Sequence, residues 1–305
     1  MRHLMNLKAA VVGGLLLGAT AAQAEPVTWV SATGTDANTC DIAAPCRTLR
    51  HALTKTDAGG TIGIASSGNF AGVNLTKPVS IVAEGVQAVI NSAAGCGAAI
   101  CVNAGSGAVT LRGITIDLPF GGMPNAGHGI LFFSGAALYV EKTHIGESGI
   151  QKFGIGFLPS APAYLRISDT VITNSGEGIS IAPRGGTATV VLNRVQVKGI
   201  LHNVTFEGQF GGAIQATITN STISNAVGAG LLVIGPGSID VMVDRSNIVN
   251  NAYATEFRDG ANNTRLRVGD STIAGFDYHT FLDSLLSYGS NEIDRPVSVE
   301  KIPYK

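Results

Sequence analysis

The stretch RISDTVITNSGEGISIA, residues 166–182, decides the fold. Apolar and polar residues alternate over a few positions at a time around Ile167, Ile172, Ile179 and Ile181, the period of a β-strand. Asn174 and Gly178 break the pattern well before any helix could form, and such residues mark turns. The central string returns along the chain as RVQVKG, STISNA, SNIVNN and STIAGF, and earlier as GITIDL and KTHIGE. Aligning the copies puts Ile116, Ile145, Ile172, Val197, Ile223, Ile248 and Ile273 in one column, spaced 29, 27, 25, 26, 25 and 25 residues apart. Five residues before each stands a second apolar residue: Leu111, Val140, Ile167, Leu192, Ile218, Val243 and Val268. The constant offset across seven copies is a structural repeat.

A third apolar run follows each copy: GILFF, GIGFL, GISIA, NVTF, GLLVI, ATEF and HTFL. One repeat of about 25 residues therefore holds three short strands joined by polar turns. The reading is all-β, a right-handed parallel β-helix in which each repeat makes one coil and coils pair at about 4.8 Å. Strands stay short because the sheets lengthen along the stack. The leucine-rich repeat is the rival for this period, but its L-x-x-L-x-L-x-x-N pattern is missing. Asn174, Asn225 and Asn250 share a turn position, where Asn tolerates the left-handed conformation and could bond from coil to coil. Thr143, Thr170, Ser221, Ser246 and Ser271 form a second column and predict a second ladder.

Residues 1–24 read as a cleaved signal peptide. Arg2 and Lys8 precede the apolar AAVVGGLLLGA, and Ala22-Gln23-Ala24 supplies small residues for cleavage. That run is shorter than the roughly 18 residues of a membrane span. The chain is thus expected outside the cytoplasm, periplasmic or extracellular, with no membrane span once mature. Without Arg2 and Lys8, 18 basic residues face 21 acidic ones, a net charge of −3, which gives no basic patch for nucleic acid. In an oxidising compartment, Cys40 with Cys46 and Cys96 with Cys101 predict two local disulfides. The C-x5-C spacing departs from the C-x2-4-C of structural zinc.

The mature chain divides into an N-terminal strand and capping helix at 25–60, the β-helix at 61–290, and a C-terminal cover or tail at 291–305. In APCRTLRHAL, Leu49, Ala52 and Leu53 share one helix face, and Pro45 suits a first turn. Trp29 in the first strand is expected to help close the core. The segment from Thr28 to Phe70, with its Gly-x-Asp loop, Pro-x-x-Thr-Leu-x-x-Ala-Leu helix and Gly-Gly-Thr-Ile strand, resembles the opening of the pectate-lyase-like β-helix superfamily. With the coils, the resemblance spans nearly all of the mature chain. It implies a pectin-lyase type of fold and an enzyme acting on polysaccharide, a lyase or a glycoside hydrolase, with calcium as cofactor only for the lyase.

The residues for such chemistry are sparse. Gly127-His128-Gly129 resembles the Gly-His-Gly of the polygalacturonase-like hydrolases, but their paired aspartates are missing, and hydrolysis needs two carboxylates. Strict alternation turns Leu131, Phe133, Leu158, Ser180, Thr205, Glu207, Leu232, Ile234, Glu256, Arg258, Phe281 and Asp283 outward on the third run. The polar members Glu207, Glu256, Arg258 and Asp283, with His279 and His128, are the catalytic candidates, and Arg258 is placed one coil from Asp283 as an ion pair. The apolar members Leu131, Phe133, Leu158, Leu232, Ile234 and Phe281 predict an exposed binding stripe unless the inserted loop DLPFGGMPNAGH folds over it. No metal site is expected. The favoured function is a scaffold binding polysaccharide or another envelope component. A polysaccharide-cleaving enzyme and a self-associating surface protein are the alternatives.

Overall fold

The computed structural model describes residues 25–118, 127–146, 149–199, 201–261, 263–279, 285–293 and 299–302. All of its named strand pairings are parallel, and the repeat columns are the stacking registers. Leu111, Val140, Ile167, Leu192, Ile218, Val243 and Val268 pair one above the next. So do Ile116, Ile145, Ile172, Val197, Ile223, Ile248 and Ile273. All but Ile273 among these fourteen are at most 1% exposed, and Ile273 is 5% exposed. Fully burying such a side chain stabilises by about 1.5–3 kcal/mol, so the two columns form the spine of the rod.

The first run of every coil builds a 12-stranded sheet. The second and third runs, expected as separate strands, join in one 17-stranded sheet. The strand Asn247–Arg258 shows how, for it pairs with Thr222–Ser224 at one end and with Ala229–Ile234 at the other. In that coil the corner between the two runs is a bend rather than a break. By contrast, Val171–Thr173 and Ser175–Ile181, Gln196–Lys198 and His202–Glu207, and Thr222–Ser224 and Ala229–Ile234 remain separate strands.

Two polar devices fix the other corners. After the first run the chain turns through the left-handed region at Lys142, Asp169, Arg194, Asn220, Arg245 and Asp270, with φ between 43° and 54°. One residue further on runs the hydroxyl ladder, interrupted once at Val195. Ser246 Oγ donates to Asp244 O at 2.8 Å and accepts from Ser221 N at 3.1 Å, and Ser271 Oγ accepts from Ser246 N at 3.0 Å. Ser221 repeats the pattern toward Val195 N, and Thr170 toward Thr143 N. Asn291 Oδ1 ends the ladder by accepting from Ser271 N at 2.9 Å. The Asn column at the second turn works differently from the expected side-chain ladder. Asn174, Asn225 and Asn250 supply φ of 55°, 64° and 57°, and the bonds between coils run through main chain, as from Asn225 N to Asn250 O.

The capping helix is Leu49–Lys55, with Leu49, Ala52 and Leu53 buried on the first coil. Its N-cap is Thr48, whose side chain accepts from His51 N, so Pro45 lies ahead of the helix and not in its first turn. Asp36 ties down this start by accepting from Arg47 N and Thr48 N, both at 2.9 Å. Trp29 lies across Gly63, where a Cβ would stand 2.5 Å from the indole. The disulfides join Cys40 to Cys46 and Cys96 to Cys101, as the spacing predicts. The leader at 1–24 and the inserted loop at 119–126 lie outside the described residues.

Candidate active face on the third run

The outer surface of the third run carries three columns of side chains, not the two that alternation predicts. The extra column comes from the bend. Gly129, Gly154, Gly178 and Gly230 sit where the strand turns the corner, and their missing Cβ atoms face inward. At Gly178 a Cβ would lie 2.3 Å from Val197 Cγ1, and at Gly154 it would lie 2.6 Å from Ile172 Cγ2. The following residues Ile155 and Ile179 also face the core, both 0% exposed. Two successive inward positions put the residue before the glycine on the outside. A glycine in a strand interior commonly marks such a bend or close approach.

The column so created is His128, Phe153, Glu177, His202, Ala229 and Tyr253, a file that strict alternation would have buried. In the coil of His202 the corner residue is Asn203, whose side chain fills the space with hydrogen bonds. Its Nδ2 donates to Ser224 O at 3.1 Å and to Asn251 Oδ1 at 2.9 Å, and its Oδ1 accepts from Gly199 N. The second column is Leu131, Gly156, Ser180, Thr205, Leu232 and Glu256, and the third includes Glu207, Ile234 and Arg258.

Most polar members of the three columns gather over two adjacent coils, and Glu256 with Arg258 lies two coils beyond Glu207. Glu177 stands directly below His202 in register, and Ser180 below Thr205. Ser180 Oγ lies 2.9 Å from Glu207 Oε1, and Gln209 Nε2 donates to Glu207 Oε2 at 3.1 Å. Burial, and secondarily the charge of Glu207, push the Glu177 carboxyl above its ordinary range; the nearby Thr205 hydroxyl opposes them weakly. Apart from this contact with each other, which is not well-formed hydrogen-bond geometry, neither Thr205 Oγ1 nor Glu177 Oε2 has a partner among the described residues, and both atoms are buried. Glu256 Oε2 is a third such atom, on a residue only 7% exposed.

Both histidines of the first column are held alike. His128 Nδ1 accepts from Phe153 N, and His202 Nδ1 accepts from Ala229 N, each at 3.0 Å. A ring nitrogen that accepts cannot carry the proton, so the neutral tautomer with Nε2–H is favoured. Burial lowers both pKa values, to about 4 for His128 with help from the charge of Lys152. At His202 the charge of Arg258 adds to the lowering and that of Glu256 opposes it.

The residues chosen by alternation fare unevenly. Glu207, Glu256 and Arg258 do reach this face, and Glu256 pairs in register with His279. Arg258 Nε donates to Glu256 Oε1 at 2.6 Å within its own coil, and the ion pair expected with Asp283 falls outside the described residues. Asp283 and Phe281 lie outside the described residues. The exposed stripe is corrected too, since Leu131 is 6% and Leu232 2% exposed, while Phe133, Leu158 and Ile234 are half-buried. Leu131 packs with Ala98 and the Cys96–Cys101 disulfide, against Phe133, Phe153 and Leu158, so the disulfide loop covers that end of the stripe. Glu177 and His202 were missed, although the recurring G, N or A that opens each third run was the signal that could have found them.

Among the described residues, one group has ligand atoms close enough for a metal ion, Cys40, Cys46 and His51, and its two sulfurs are joined in a disulfide.

No protein-family model matches the chain, and no curated protein matches it. Among solved structures it is similar to the A-module of the mannuronan C-5 epimerase AlgE4 of Azotobacter vinelandii, with 13% identity and a TM-score of 0.30 over 81% of this chain and 89% of that one. A likeness at that level carries no conclusion about residues or chemistry.

Proposed function

We propose that the protein is an exported glycan-binding rod that holds an extended polysaccharide against the third-run face, centred on Glu177, His202, Thr205, Glu207 and Glu256. The supporting observation is a group of buried polar atoms that make no well-formed hydrogen bond among the described residues. Glu177 Oε2, Thr205 Oγ1 and Glu256 Oε2 are all buried on one face. Each such atom costs roughly 1–3 kcal/mol while unsatisfied. Stability alone would favour replacing them with apolar side chains, so a ligand that satisfies them gives the arrangement a purpose. Sugar hydroxyls offer donors and acceptors together. His128 and Phe153, with ring centroids 4.8 Å apart, offer a stacking surface two coils along the same column from His202. Disulfides, and the lack among the described residues of any helix able to cross a membrane, are compatible with a place outside the cytoplasm. The proposal invokes no metal or other cofactor.

The second reading is catalytic and rests on Glu177. A carboxyl with a raised pKa beside a second carboxyl suits a general acid, so the same face could cleave the chain it holds. Affinity electrophoresis of the wild type, Glu177→Gln and Thr205→Val through gels containing a range of glycans tests the first reading. We expect at least one glycan to retard the wild type and each variant to weaken that retention about tenfold. Retention by none, or variants that migrate like the wild type, would refute it. Release of new reducing ends by the wild type and not by Glu177→Gln would add the catalytic function.

A further inference from the structure

Resting on that binding face, we infer that its ligand is a non-acidic glycan presenting hydroxyl or amino groups, and that polyuronates are excluded. The charge on the face decides this. Glu177 and Glu207 face outward on adjacent coils. Glu256 does so two coils beyond Glu207, with Leu232 and Ile234 between, and the cation beside it, Arg258, already donates to Glu256 at 2.6 Å. Lys152 lies beside His128 at the apolar end. A uronate would bring a further negative charge into a partly desolvated cluster of carboxylates, where like charges repel more strongly than in water.

Hydrogen-bonding capacity points the same way. The Glu256 carboxylate oxygen that has no partner among the described residues, on a side chain more than nine-tenths buried, can only accept while ionised. The Thr205 hydroxyl, which meets Glu177 without good hydrogen-bond geometry, is on a residue 1% exposed. A ligand carboxylate is an acceptor as well and leaves Glu256 unsatisfied. A hydroxyl or ammonium group supplies the missing donor. The neutral His202 ring, with Nδ1 occupied by Ala229 N, keeps an Nε2–H without a partner among the described residues, and this can meet a sugar oxygen. A site made for uronates would instead present cations to the ligand carboxylates, in the way bidentate arginines do.

The test measures binding of the wild type, Glu256→Gln and Thr205→Val to size-matched oligosaccharides at one ionic strength: an amino-sugar polymer fragment, a neutral glucan fragment and a polyuronate fragment. We expect amino sugar to bind at least as tightly as neutral glucan, and both at least tenfold more tightly than polyuronate. Glu256→Gln should reduce any preference for amino over neutral sugar by threefold or more, and Thr205→Val should weaken both. Polyuronate binding equal to or tighter than the others, and lost in Thr205→Val, would overturn the charge inference while keeping the binding face. Binding by no fragment, or binding unchanged in both variants, would overturn the face itself and the inference with it.

Discussion

Gly178→Ala is the sharpest test of the bend that exposes Glu177. The added methyl carbon would lie 2.3 Å from Val197 Cγ1 and 2.5 Å from Asn203 O. Ordinary contacts are 3.4–4 Å, so one side must yield by about 1 Å. Val197 is a spine residue with 0% exposure, and Asn203 is locked by its own hydrogen bonds. Overpacking of this kind costs about 1–3 kcal/mol, and the reduced freedom of the unfolded chain returns about 0.4–1 kcal/mol. The two ranges leave about 0–2.6 kcal/mol, and because the clash is with backbone as well as a core side chain the upper part applies, about 1–2 kcal/mol of destabilisation. For a chain of this size that is a fall in Tm of roughly 2–8 °C. Gly95→Ala is the control, because nothing lies within 4 Å of its added carbon, and it should stay within about 0.5 kcal/mol of the wild type. Thermal unfolding followed by circular dichroism reads both. A Gly178→Ala protein as stable as Gly95→Ala would show that the corner does not need glycine, and the argument placing Glu177 outside would fail with it.

The same corner predicts that Asn203→Leu strands Gly199 N and Ser224 O in the core, which at about 1–3 kcal/mol for each orphaned group should lower stability by at least about 2 kcal/mol in urea titration. If Asn203→Leu matches the wild type, the Asn203 network is ornamental. Stability should also depend on pH through His128. Its pKa is about 4 when folded against 6.5 when free, so the unfolded chain binds the extra proton between those values. Stability is then full above about pH 6.5 and falls as pH drops towards 4, and His128→Gln should flatten that fall; an unchanged profile in the variant would assign it elsewhere. His202 acts in the same direction. Glu177 acts in the opposite one, because a raised carboxyl pKa favours the folded state at low pH and loses that advantage as pH rises through it.

The rod was legible in the sequence because inward aliphatics recur at a fixed offset, and stacking turns that offset directly into the registers of Ile172 and Ile167. The face was only half legible. Alternation counts forward correctly from Ile179 to Ser180 and Ile181, but counted backward it buries Glu177, because it has no means of representing two inward residues in a row. Gly178 carried that information through what it lacks, a Cβ, and Asn203 carried it through hydrogen bonds that join residues 48 apart. Side-chain reach was equally invisible. Arg258 could be assigned to the face, but its turn back to Glu256 depends on local rotamers, not on period. The burial of Leu131 depends on a disulfide loop whose path the cysteine spacing does not reveal.

The hydroxyl ladder has a consequence for how such a chain can change over evolutionary time. Ser221, Ser246 and Ser271 each take a donor from the coil before, and Asn291 closes the series by the same handover. These serine links are interchangeable, so duplication or loss of one of their repeats leaves each handover intact, whereas the hydroxyl-free Val195 already interrupts the series before them. A shorter insertion within the ladder would misalign every contact downstream of it. Growth of the rod, and of the face it displays, is therefore quantised.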